Sequence, residues 1–155
     1  MLIYVPTIES KRGATADEME AKLKHLEFIQ AAIARMGTNQ FLFKGWAITI
    51  AAALSAFAAV DTKMALLVIA LGSTSLFWGL DSYYLWLERG FVKLHREVAA
   101  KDESQIDFSM AIDKSNAARS WFKTCWRHHL YFFYGIIFAI DFIGIFVLKQ
   151  VSGGK

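Results

Sequence analysis

The chain has 155 residues, of which 55% are hydrophobic and 15% aromatic, with a mean hydropathy of +0.34 and a formal charge of +3. The length suits one domain, the apolar content exceeds that of an ordinary soluble domain, and the charge is too mild for a nucleic-acid-binding protein. A single cysteine, Cys125, excludes an internal disulfide and reads as a small core residue, and a single proline leaves few breaks in a mostly helical chain.

In chain order, residues 1–14 read as a polar tail. They carry Glu9, Lys11 and Arg12 without a continuous apolar run, so no cleavable signal is expected. Residues 15–37 predict an amphipathic helix opened by a capping box of Thr15 and Glu18. Met19, Leu23, Leu26, Ile29, Ile33 and Met36 form its apolar stripe, with Lys22, Lys24 and Glu27 largely off it. That stripe has to pack on cytoplasmic helices of its own chain or on a neighbouring subunit.

Three apolar stretches follow, at 40–60, 64–87 and 130–149, each long enough to cross a bilayer core of about 30 Å at about 1.5 Å per residue. The first is rich in small residues, among them Gly45, Ala47, Ala51, Ala52, Ser55 and Ala56, which let another helix approach closely. Asp61-Thr62-Lys63 joins it to the second as a tight hairpin. Past Leu87 the polar sequence "ERGFVKLHREVAAKDES" reads as the same helix continuing out of the membrane, with Glu88 and Arg89 at the headgroups, until "QID" breaks it. Residues 107–129 then predict another amphipathic helix, whose Trp121, Phe122 and Trp126 suit an interface. A short tail, 150–155, ends the chain. The expected fold is therefore all-α: an integral membrane protein with three transmembrane helices plus amphipathic cytoplasmic helices, the whole chain one membrane domain.

Fourteen of the seventeen Lys and Arg residues lie at or before Lys44 or between Arg89 and Arg127; only Lys63, Lys149 and Lys155 fall elsewhere. Because basic residues stay on the cytoplasmic side, the N-terminus and the segment 88–128 are expected to be cytoplasmic and the C-terminal tail outside. Trp78, Tyr83, Tyr84 and Trp86 in the second span, and Tyr131 and Tyr134 in the third, read as interfacial aromatics.

The first two spans hold one charge each, and the third holds only Asp141 from Leu130 to Leu148. Lys44 lies sixteen residues before Val60 and Asp81 seventeen after Met64, so both sit about 24–26 Å from the outer turn at helical rise. At that common depth they are expected to pair or share an inner polar layer with Glu88 and Arg89. Asp141 is deeper, eight residues before Lys149. An ionised carboxylate near the bilayer centre costs about 2.5–3.5 kcal/mol on the insertion scale, so Asp141 needs a partner, a proton or water. "GSTS", Gly72 to Ser75, lies at a matching depth. Two readings stay open: a protonated Asp141 hydrogen-bonded to Ser73, Thr74 or Ser75 across helices, or an Asp141 that faces a hydrated lumen or titrates. Three helices cannot enclose a useful pore, so the second reading requires an oligomer.

No enzyme constellation is visible. His128 and His129 are adjacent and point about 100° apart on a helix; HExxH, CxxC, GxGxxG and P-loop patterns are missing from the sequence. "RGFVKLH", Arg89 to His95, has an Arg–His spacing that does not share a helical face. The expectation is a non-enzymatic protein without cofactor or metal.

Two stretches, "IARMGTNQFLFKGWAITIAAALSAFAA" and "FWGLDSYYLWLERGFVKLHREV", resemble the RipA family of octameric small bacterial inner-membrane proteins, on Asn39, Lys44, Gly45, Trp46, Asp81, Tyr84, Glu88 and Arg89. More loosely they resemble the two-span SLATT-type membrane effectors. The resemblance implies a ring-like homo-oligomer in the bacterial inner membrane, no enzymatic activity and, through the second likeness, pore formation. Together these readings lead to two expectations. One is a homo-oligomer that forms or gates an aqueous ion pathway, as a stress or defence effector. The other is a membrane-anchored scaffold that binds a cytoplasmic protein through its amphipathic helices.

Overall fold

The computed structural model describes the backbone of residues 8–61 and 63–153, and the side chains of 16–60, 63–103 and 105–150. It is all-helical. α1 runs Ile8–Asp61, α2 Met64–Ala100, α3 Ala117–Cys125 and α4 His128–Gly153, with one 3-10 turn at Glu103–Gln105. α1, α2 and α4 each contain a stretch long and apolar enough to cross a membrane.

Two sequence expectations change. The helix expected to begin at Thr15 and stop at residue 37 is part of an uninterrupted α1, so Thr15 lies inside it and cannot act as an N-cap. Gly37, inside α1, costs a helix only about 1 kcal/mol. Burial at helical spacing continues through it: His25, Ile29, Ala32, Met36, Gln40, Ala47, Ala51 and Ala58 are all buried. The continuation of α2 past Leu87 is present and ends at Ala100. The helix expected over 107–129 is not: residues 106–114 have no regular structure, and only Ala117–Cys125 is helical before the chain turns at Trp126 and Arg127. The reason is local. Asp107 accepts from the Ser109 N–H at 3.2 Å and the Ser109 hydroxyl from the Ala111 N–H at 3.2 Å, so short side chains take up the amides a helix would use.

Contacts divide the chain into two compact units. The polar unit holds the described residues up to Arg35 and Glu88–Asp113. There Ile29, Ala32 and Val98 are buried. Gly90 makes room for Ile112, whose side chain would meet an added Cβ at 3.2–3.3 Å. The stripe expected to pack is displaced. Leu23 is exposed and Leu26 and Ile33 are half-buried; of the stripe only Ile29 is buried in this unit, on a line with His25 and Ala32.

The apolar unit holds Met36–Leu87 and the described residues from Lys114 onward. Three inward lines meet in it: Ala47, Ala51 and Ala58 of α1; Leu67, Ala70, Thr74, Asp81 and Leu85 of α2; Leu130, Tyr134, Ile137 and Asp141 of α4. Spacings of three and four keep each line on one helical face. The alanines are what allow three helices to share the seam. Gly45 and Ala52, expected at a packing face, are both exposed within this chain, and nothing lies within 4 Å of a Cβ placed on Gly45. The outside of the unit is apolar: Phe41, Phe57, Val60, Leu76, Phe132, Ile143 and Phe146 are all more than 60% exposed.

Continuity of α1 is testable at the expected break. Asn39→Pro removes one helical hydrogen bond and clashes with the preceding turn, which costs about 3 kcal/mol. Thermal unfolding in detergent followed by circular dichroism should show a clear loss of stability; a neutral effect would mean the helix is broken there.

Candidate functional site

Six polar side chains inside the apolar unit form two layers, each built from α1, α2 and α4. In the first, Lys44 Nζ lies 2.6 Å from Asp81 Oδ2. The Tyr134 hydroxyl is 3.1 Å from the same oxygen and 3.4 Å from the Phe77 carbonyl. A phenol has one proton to donate, and the shorter, charged acceptor takes it. Asp81 and Tyr134 are 0% and 1% exposed. Asp81 Oδ1 has no partner among the described residues. The pairing of Lys44 with Asp81 expected from their common depth is therefore present.

Glu88 and Arg89, expected in the same layer, belong to the polar unit. There Arg89 lines a shallow surface with Lys93 and Arg96.

In the second layer the Ser55 hydroxyl donates to Asp141 Oδ1 at 3.1 Å. Thr74 is 0% exposed and turned towards the same carboxyl group, but outside hydrogen-bond geometry, so Thr74 Oγ1 and Asp141 Oδ2 are both buried without a partner among the described residues. Of the "GSTS" residues only Thr74 takes part. Ser73 and Ser75 turn back to their own helix, donating to the carbonyls of Ala70 at 2.9 Å and Leu71 at 2.8 Å. From α1 the partner is Ser55, which the sequence offers only as a small packing residue. The two layers are seven residues apart on α2 and on α4, about 10 Å at helical rise.

Two aromatic assignments also change. Tyr134 is a core residue that bonds Asp81, and Trp78 packs against the core cluster. The Trp78 indole N–H donates to the Cys125 carbonyl at 3.2 Å and that of Trp121 to the Gly79 carbonyl at 3.3 Å. Together they fix α3 beside α2. The bond to Cys125 also satisfies a carbonyl at the end of α3 that has no helical partner. A signal for Tyr134 does exist in the sequence: it lies seven residues before Asp141, on the same helical face.

In the polar unit, Lys22 donates to the Lys101 carbonyl at 2.7 Å and lies 3.4 Å from Glu103 Oε1. An ammonium just past the end of α2 suits the negative end of that helix. The Glu103 carboxyl is held below its usual range by its own backbone N–H and by Lys22. His25 is 4% exposed, its Nε2 has no partner among the described residues, and Phe108 packs edge-on to its ring at 5.5 Å. Phe108 holds φ at 53°, a left-handed conformation unusual for a bulky residue. Among the described residues no group of three or more His, Cys, Asp or Glu could hold a metal ion.

The Lys44–Asp81 contact sets an expected order of stabilities in detergent. Lys44→Met strands a buried carboxylate and should destabilise by about 3–5 kcal/mol. Lys44→Met with Asp81→Leu should recover most of that loss. Tyr134→Phe should cost about 1 kcal/mol, one hydrogen bond's worth. Denaturant unfolding of the four proteins checks the order.

No protein-family model, curated protein or solved structure matches the chain, so its role is argued from the residues themselves.

Proposed function

We propose that this chain is a three-span integral membrane protein that works as a homo-oligomer and gives small cations a gated route across the bilayer. The observation that carries the reading is the inversion of polarity in the apolar unit. Large apolar side chains cover the outside, while a carboxylate–ammonium–phenol layer and a carboxyl–hydroxyl layer occupy the inside. Water would penalise that outer surface, lipid accepts it, and acids inside a spanning bundle mark ion routes. Lys44, Asp81 and Tyr134 form the closure on the side of the basic residues; Asp141, Thr74 and Ser55 form the deep acidic centre.

One three-helix bundle has no lumen, so the route runs where copies meet. The resemblance to a ring-forming octameric family fits this arrangement. Gly45 and Ala52, exposed small residues on α1, offer close approach to a neighbouring copy. In this reading the N-terminus and residues 88–128 are cytoplasmic and the C-terminus is outside, which the clustering of basic residues supports, and the resemblance supports a bacterial inner membrane.

A second reading, a membrane-anchored scaffold, draws on the polar unit, where Met19, Leu23 and Phe28 expose large apolar side chains. A cytoplasmic protein would bind there.

Liposomes holding the purified protein should leak small cations, and Asp141→Asn should change the rate or the selectivity. Liposomes that stay tight at every pH and ionic composition would refute the ion route. If they stay tight while Leu23→Asp with Phe28→Asp abolishes function in cells, the scaffold reading stands.

A further inference from the structure

The two buried acids of the apolar unit are treated differently. Asp81 and Asp141 are 0% and 1% exposed. Asp81 has an ammonium at 2.6 Å. Asp141 has only hydroxyls: Ser55 on α1 bonds one oxygen, Thr74 on α2 faces the carboxyl group, and the other oxygen is unpartnered. Among the described residues no charged group pairs with Asp141, and the Lys44–Asp81–Tyr134 layer lies seven residues away along α2 and α4. An uncompensated buried charge is costly, and a group so placed takes up a proton instead. A proton on Asp141 Oδ2 also gives the unpartnered Thr74 oxygen a donor. Three oxygen-bearing side chains are too few for a sodium ion, which prefers a fuller oxygen shell.

The same carboxyl group borders an apolar groove on the outside of the unit. A groove of about 340 Å³ runs along α1 and α4, lined by Ile48, Ala52, Phe133, Ile136 and Ile140, with Ser55 and Asp141 at its floor.

We propose that Asp141 is an exchangeable proton site: a neutral carboxylic acid within the bundle that releases its proton to water, or regains it, through the groove between α1 and α4. This rests on the reading of the chain as a membrane protein and names the cation it handles as the proton. Release leaves a carboxylate held by the Ser55 and Thr74 hydroxyls; uptake restores the acid. No other co-reactant is required.

Two measurements on the full chain in lipid nanodiscs test this. N,N′-dicyclohexylcarbodiimide, an apolar reagent that adds to protonated carboxyl groups, should modify Asp141 and spare the ion-paired Asp81, as read by peptide mass spectrometry. The yield should fall about tenfold per pH unit above the group's midpoint, and the adduct should be missing in Asp141→Asn. Infrared spectroscopy should show a protonated-carboxyl carbonyl band that Asp141→Asn removes and that shifts down in D2O. A spectrum lacking that band at every pH, or a band that never shifts in D2O, overturns the exchange. Protection by sodium at constant pH also overturns it, in favour of a metal-cation site. Neither measurement needs ion flux, so a labelled, exchanging Asp141 in tight liposomes would sink the conduction reading and leave this one standing.

Discussion

The arrangement of the apolar unit depends on the contact between Lys44 and Asp81. Two opposite charges, one on α1 and one on α2, meet at 2.6 Å in a seam where Asp81 has no exposure. Neither side chain could occupy that place alone, because an uncompensated buried charge costs several kcal/mol. The contact therefore fixes the register of α1 against α2. Tyr134 brings α4 to the same carboxylate, so one oxygen atom ties three helices. Burial alone would not choose this register: an apolar helix can slide by a turn with little loss, whereas an ion pair cannot.

Once that register is set, the second layer follows from helix geometry. Counting seven residues from Asp81 to Thr74 and from Tyr134 to Asp141 keeps each helix on the same face. On α1, eleven residues separate Lys44 from Ser55, about three turns. The three side chains of the second layer thus arrive together because those of the first do. The difference between the layers is chemical. One balances a carboxylate with a cation; the other surrounds a carboxyl group with hydroxyls.

The polar unit follows the same physics with different means. Lys22 turns inward to the carbonyl that follows α2, and Gly90 admits Ile112 from the irregular segment. Asp107 and Ser109 hold that segment out of helix by bonding their own neighbours' amides. The inward line of α1 here contains His25 and Ala32, residues that hydropathy does not mark. For that reason the apolar stripe of Leu23, Leu26 and Ile33 is a poor guide to which face packs.

Sequence alone determined the helical class, the three long apolar stretches and the pairing of Lys44 with Asp81; the turn Asp61-Thr62-Lys63 includes Thr62, which lies outside the described residues. All of these follow from length, hydropathy and residue counting, which are properties of one helix or of two joined by a tight turn. Tertiary structure decided the rest: the unbroken course of α1, the short α3, the inward faces, and the partners of Asp141. Those depend on which side of each helix meets the others. In an apolar stretch every side is hydrophobic, so periodicity carries no signal there. The choice between Ser55, Thr74 and the serines beside it was made by the rotation of three packed helices, a quantity no single segment encodes.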